Sequence, residues 1–286
     1  MTKNDSLTIK LIDEKRIEIG FTYPKRAKGL VKSGRASYID DKTLRLTDPN
    51  SKVEGKVMTE NSQTKPKGLG KILIPKYSLS EELMSSIFHG VGALFSLYVL
   101  ISCVYVSLKH NNMYGLAGSI IYGLTSFMLY IVSTLYHALK PNRAKKVFRI
   151  IDHCSIYLLI AGTYAPYCLV TLRNVSPLVG WLVLVVVWIC AIIGITFTAI
   201  NMNTFKKMGM ALYLIMGWVC IFSFKTLVDG INQTGLICMI IGGVVYTVGA
   251  ILYGIGKKVK YMHSIFHFFV LAASIMFYIS IIQYVL

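Results

Sequence analysis

Seven long apolar stretches constrain this chain more than any other feature of its sequence. A bilayer core about 30 Å thick needs roughly 20 apolar residues of helix to span it. Seven segments meet that requirement, at residues 84–108, 114–139, 151–172, 177–200, 208–228, 235–256 and 262–285. The sequence therefore predicts an all-α membrane protein, a seven-transmembrane helix bundle inserted as a multi-pass protein in the cell membrane.

Charge divides the chain into two parts. Residues 1–78 contain 17 Lys/Arg and nine Asp/Glu, whereas residues 79–286 contain 13 Lys/Arg and only four Asp/Glu. Apolar and polar residues alternate over 17–23, which is the period of a short strand. We therefore predict a membrane domain at 79–286 and a basic cytosolic extension at 1–78. The extension is either a small β-rich module or a partly disordered tail, with a linker at 61–78.

The basic residues of the second domain predict its orientation. Ten of them fall between the second and third, fourth and fifth, and sixth and seventh apolar stretches. The other three, Lys109, Arg173 and Lys225, fall toward the opposite side. Because Lys and Arg in short loops stay on the cytoplasmic side, the N-terminus is expected in the cytoplasm and the C-terminus outside.

The formal net charge of +17 raises the question of a nucleic-acid partner. No RNA- or DNA-binding motif accompanies the charge, and in the second domain the basic residues lie in short loops between apolar stretches. Anionic headgroups attract basic segments beside membrane helices. We therefore expect membrane lipids as partners and no nucleic acid.

Five of the six histidines are predicted to lie at one membrane level, near helix ends that face the cytoplasm: His89, His137, His153, His263 and His267. An ionisable side chain within a spanning helix is costly and indicates function. His263 and His267 are four residues apart, so one helical face presents both imidazoles. With His137 at matching depth, the pattern predicts a metal site of three imidazoles.

Asp152 and Ser133 are predicted to lie beside these three imidazoles. Asp152 opens the third apolar stretch at the same depth, and Ser133 lies one helical turn before His137. Catalytic zinc sites have three protein ligands and one position open to water. We therefore predict Zn²⁺ as the cofactor.

Three further side chains are predicted to contact the metal ligands without binding the metal themselves: His89, His153 and Glu82. A different role for the acids is equally compatible with the sequence. Ser80 followed by Glu81 and Glu82 is also typical of a helix N-cap with acids in the first turn.

The segment from Asp152 to Pro166 (DHCSIYLLIAGTYAP), preceded by Ser133 and His137 and followed by His263 and His267, resembles the hemolysin III family. That family is the bacterial branch of the progestin and adiponectin receptor superfamily. The resemblance covers residues 79–286. It implies a seven-helix, receptor-like bundle with its N-terminus inside, in which the three histidines bind zinc. It also implies that the acid at position 152 acts through water, with the serine at 133 close by.

The expected function is zinc-dependent hydrolysis of a lipid amide or ester, similar to that of ceramidase-like relatives, with Asp152 and Ser133 as catalytic residues. One alternative is a non-enzymatic sensor or receptor for membrane homeostasis, in which zinc is structural. Another is cytolysis, as the family name suggests.

Overall fold

A computed structural model describes residues 9–47, 72–255 and 259–286. The chain divides into two compact units, 1–64 and 65–286. Most of the predicted linker, 61–71, lies outside the described residues.

The first unit is a small α/β module. Its elements are β1 (Ile9–Ile12), β2 (Glu18–Thr22), α1 (Pro24–Lys32), β3 (Ala36–Asp40) and β4 (Thr43–Leu46). The sheet order is β2-β1-β4-β3, in which two antiparallel hairpins meet at a parallel β1–β4 pair. Its core contains Ala27 of α1 and Leu44 of β4. The alternating residues Ile19 and Phe21 are exposed, so strand periodicity located β2 but did not indicate its buried face.

The second unit is a bundle of helices, and it confirms the predicted seven-helix architecture. Seven of its described helices are long and apolar enough to cross a membrane. They are α2 (Leu79–Lys109), α3 (Met113–Ala138), α4 (Arg143–Val175), α5 (Pro177–Asn201), α6 (Lys206–Gly230), α7 (Gln233–Ile255) and α8 (Met262–Tyr284).

Helix α4 begins at Arg143, a full two turns before the predicted start at residue 151. The Asn142 side chain accepts the backbone N–H of Lys145 at 2.8 Å and caps the helix there. Lys145 and Arg149 are buried inside the bundle although both are charged. A prediction based on hydropathy leaves charged residues out of a membrane span, so it placed the start of α4 too late in the chain.

Two helices change their hydrogen-bond pattern along their length. In α4, Pro166 is followed by a π-helical turn at Tyr167–Leu172, as expected where proline removes a backbone donor. In α6, a 3₁₀ segment at Val219–Ser223 separates two α-helical parts. Neither irregularity interrupts the apolar pattern from which the spans were predicted.

Helix packing brings α2, α3, α4 and α8 together. Helix α2 packs against α3 and α8, and α3 packs against α4. At Gly118 the backbones of α3 and α4 approach so closely that a Cβ atom would lie 2.9 Å from Pro166 Cα. Helix α4 is central, with 78% of its most apolar window buried, against 22–50% in the other six.

Candidate metal centre

Three imidazoles converge at the end of the bundle where α2, α4 and α8 begin and α3 ends, which we call the histidine end. His137 comes from the last turn of α3, whereas His263 and His267 occupy the first two turns of α8. The Nε2 atom of His263 lies 3.4 Å from Nε2 of His137 and 3.1 Å from Nε2 of His267. All three residues are buried, and this site could hold a metal ion.

The Nδ1 atoms of two of these histidines contact supporting side chains. His137 Nδ1 lies 2.7 Å from Glu82 Oε2, and the other oxygen of Glu82 accepts a 2.6 Å hydrogen bond from Lys145 Nζ. His267 Nδ1 lies 2.7 Å from His89 Nε2. A carboxylate behind an imidazole fixes its tautomer and leaves the other nitrogen free to bind a metal. The structure thus places Glu82 beside His137 and His89 beside His267.

The first turn of α2 fixes the start of α8. The cap of α2 is Ser78, not Ser80, and Ser78 forms a capping box with Glu81. Glu81 Oε1 also accepts the backbone N–H of Tyr261 at 2.8 Å, and its carbonyl accepts the Ser264 hydroxyl at 3.0 Å. The two acids therefore divide the roles left open by the sequence, since Glu81 caps and links helices whereas Glu82 contacts a histidine.

Asp152 and Ser133 lie beside the imidazoles without joining them. Both line the cavity that reaches His263 and His267. Among the described residues, the convergent ligand atoms come from the three histidines and not from Asp152. The Ser133 hydroxyl is fully buried and interacts with the Asp152 carboxylate, but the contact does not have the distance and angle of a full hydrogen bond. It is therefore available as a donor to a molecule in the cavity.

His153 contacts Asp152 rather than the three imidazoles. Its Nδ1 atom lies 3.6 Å from Asp152 Oδ2 and 3.0 Å from the Arg149 carbonyl oxygen. Its Nε2 atom lies 3.4 Å from the Tyr253 hydroxyl. This contact lets His153 orient the Asp152 carboxylate.

A cavity of about 310 Å³ extends from the histidine end into the bundle. At one end it is lined by His263, His267 and Asp152, and deeper in by apolar side chains such as Leu159 and Phe277. Ligand pockets usually combine such an apolar wall with a few polar groups at one point. The arrangement suits a molecule with an apolar tail and a reactive polar group.

Three residues of the site were not predicted from the sequence. Tyr77 stacks on His263, with ring centroids 4.7 Å apart and planes 8° from parallel, and burial raises the pKa of its phenol. Lys145 pairs with Glu82, and Arg149 lines the cavity. Each depends on contacts between segments far apart in the chain, for which the sequence contains no local signal.

The match to a known family covers most of the chain. The model of the haemolysin-III related family matches residues 77–278. The chain belongs to the haemolysin-III related family. It is therefore a multi-pass integral protein of the cell membrane.

Two bacterial family members match over 208 residues, 73% of this chain. Hemolysin-3 of Bacillus cereus is 39% identical, and the match covers 93% of that protein. The hemolysin-3 homolog of Bacillus subtilis (strain 168) is 34% identical, with 96% of its length covered. The monocyte to macrophage differentiation factor of Homo sapiens is 30% identical over 175 residues, 57% of this chain and 68% of its own. Similar sequences are thus found in bacteria and in mammals.

Proposed function

We propose that this haemolysin-III related protein is a zinc-dependent hydrolase of a lipid amide or ester. One observation carries the proposal: the imidazoles of His137, His263 and His267 converge where an apolar cavity meets Asp152 and Ser133. A site for a metal ion, a carboxylate and a hydroxyl donor are thus gathered at the end of a space suited to an acyl chain.

The spacing of the nitrogens supports zinc as the metal. Zn–N bonds measure about 2.0–2.1 Å, so two nitrogens of a tetrahedral site lie roughly 3.3–3.4 Å apart. The Nε2 separations of 3.1 and 3.4 Å approach that value. A zinc ion bound there would act as a Lewis acid and lower the pKa of its bound water to about 7.

The chain's own residues would then perform the remaining steps. Asp152, close to the imidazoles but outside their ligand group, would accept a proton from the attacking water. The buried Ser133 hydroxyl, which lines the same cavity, would donate a hydrogen bond to the oxyanion that develops on the substrate carbonyl. The apolar wall would hold the acyl chain and exclude bulk water.

One observation favours a second candidate, a non-enzymatic sensor stabilised by structural metal. His89 lies against His267, so a small rotation would bring a fourth nitrogen toward the cluster. Structural zinc sites are closed by four protein ligands, whereas catalytic sites keep one position open.

Lipid product analysis separates the two functions. Membranes containing wild type, Asp152→Asn or no protein would be incubated with a mixed-lipid extract, and free fatty acids and amines quantified. General-base contributions are about 10²–10⁴-fold, so Asp152→Asn should abolish turnover while it retains metal. Asp229→Asn, the same change at an exposed acid, should remain active. Identical lipid profiles for wild type and Asp152→Asn would contradict the hydrolase and leave the sensor.

The role of the Ser133 hydroxyl would be tested with membranes prepared in the same way. Ser133→Ala should reduce turnover by about 10²–10³-fold at most, the effect of one oxyanion donor. Ser126→Ala is the matched control, because Ser126 is also a buried serine on α3 but does not line the cavity. Equal losses in the two variants would show that the effect comes from packing rather than from hydrogen bonding.

A further inference from the structure

A second cavity, of about 410 Å³, lies at the histidine end. Four basic residues line it, and we call it the basic vestibule: Lys76, Arg149, Lys206 and Lys260. Arg149 lines the apolar cavity as well. The two spaces therefore meet at Arg149, beside the candidate metal centre.

Arg149 is unusual because its charge is buried without an ion-pair partner among the residues that the structure describes. The residue is 5% exposed, and its Nε and Nη1 atoms have no hydrogen-bond acceptor in the described part of the chain. No described carboxylate forms an ion pair with it, although Asp152 lies one helical turn away. Buried guanidinium groups are normally paired, because removing an unpaired charge from water is costly. The two free donors therefore indicate an anionic ligand.

The other charges around the basic vestibule do not supply that anion. Glu81 is the only carboxylate among the described residues that line it. Its Oε1 atom accepts the Tyr261 N–H and its Oε2 atom accepts the Ser78 N–H, each at 2.8 Å. Since both oxygens are engaged in linking helices, the vestibule keeps an excess of positive charge.

We propose that the basic vestibule is a phosphate-binding site in which the guanidinium of Arg149 binds the oxyanion. Arginine presents a planar fork of donors that matches phosphate geometry. Lys76 and Lys260 are exposed, and they would add attraction at the mouth of the site. The phosphate belongs either to an anionic phospholipid, whose tail has access to the apolar cavity, or to a free phosphate ion. The site does not depend on the proposed hydrolase activity.

The source of the phosphate is distinguished by two probes on purified full-length protein. Equilibrium dialysis with radiolabelled inorganic phosphate measures the free ion. Native mass spectrometry after incubation in phosphatidylcholine nanodiscs, with or without phosphatidylglycerol, counts bound anionic lipid. Binding of phosphatidylglycerol alone assigns the site to lipid, whereas binding of inorganic phosphate assigns it to the free ion. Absence of binding in both arms would overturn the proposal.

Three variants test the role of Arg149 in phosphate binding. Hydrogen bonds to a charged group are worth about tenfold to hundredfold in affinity, so Arg149→Gln should weaken binding by that factor. The affinity of Arg149→Lys should lie between those of wild type and Arg149→Gln, because a lysine retains the positive charge but not the planar fork of donors. Arg143→Gln is the matched control, since Arg143 begins the same helix, is exposed and does not line the vestibule. Wild-type affinity in both Arg149 variants would overturn the assignment.

Two further measurements separate phosphate binding from misfolding of a variant and from binding of phosphate to a metal ion. Lys76→Gln combined with Lys260→Gln changes exposed residues only, and it should weaken binding most at low salt. Unchanged affinity in that double variant would contradict the charge argument even if Arg149→Gln fails to fold. Treatment of wild type with a chelator should leave phosphate binding in place. Complete loss of binding on chelation would place the anion on the metal and overturn the proposal.

Discussion

The contact between Glu82 and His137 makes the sharpest prediction about how the site is built. Glu82 Oε2 lies 2.7 Å from His137 Nδ1, and Oε1 accepts the Lys145 ammonium at 2.6 Å. The Lys145 side chain is 1% exposed, and its ammonium also donates a hydrogen bond to the Leu139 carbonyl at 2.9 Å. Glu82→Gln therefore removes the orienting charge from an imidazole and leaves an ammonium buried without its counter-ion.

These two effects have separate magnitudes. Loss of a residue that supports a metal ligand reduces metal affinity by about 10–100-fold. Removing one partner of a buried ion pair costs about 3–5 kcal/mol. Because the Glu82 side chain is 17% exposed, we expect the free energy of unfolding to fall by about 3 kcal/mol, the low end of that range.

A double variant separates orientation from stability. Combining Glu82→Gln with Lys145→Met removes both charges, so the free energy of unfolding should return close to that of wild type. Metal affinity should stay low, because His137 has still lost its carboxylate. Asp229→Asn, at an exposed acid, should change neither quantity.

The assay combines competition with a chromophoric chelator and denaturant titration of metal-free protein in detergent. Metal affinity within about twofold of wild type in Glu82→Gln would refute the orienting role, since supporting residues contribute more than that. Equal stability losses in the single and double variants would refute the ion-pair argument.

Three further predictions concern topology, the N-terminal unit and packing. Cysteines at Asn142 should be labelled from the cytoplasm and those at Asn112 from outside; the reverse pattern would overturn the orientation. A truncation that begins at Lys76 should still insert and bind metal, because the family match starts at residue 77; failure to accumulate would contradict this. Gly118→Ala should lower the free energy of unfolding by about 1–3 kcal/mol through overpacking, whereas Gly254→Ala, with open space around it, should not. Equal stability of the two glycine variants would exclude close packing as the cause.

Apolar stretches long enough to span a bilayer predicted the bundle, because lipid-facing and core-facing positions of a spanning helix are both apolar. This criterion failed where charged residues are buried inside the bundle. Lys145 and Arg149 belong to the first two turns of α4, although their charge suggested a loop. The π turn after Pro166 and the 3₁₀ segment of α6 depend on packing against neighbouring helices, and no hydropathy pattern reports them.

The candidate site was predictable only where residues share one helix or one depth. His263 and His267 follow helical spacing, and His137 matches them in depth, so their convergence was predicted. The stacking of Tyr77 and the pairing of Lys145 join residues far apart in the chain. Such partners are determined by the crossing of helices, which local spacing does not encode.

The most direct test of a metal centre at the histidine end is elemental analysis of purified protein. Wild type should contain about one zinc per chain, as in sites of three histidines. His263→Ala combined with His267→Ala should contain almost none and unfold at lower temperature, since metal binding is linked to folding. His110→Ala, an exposed histidine at the opposite end, should retain wild-type zinc. Undiminished zinc in the His263→Ala, His267→Ala variant would contradict the site.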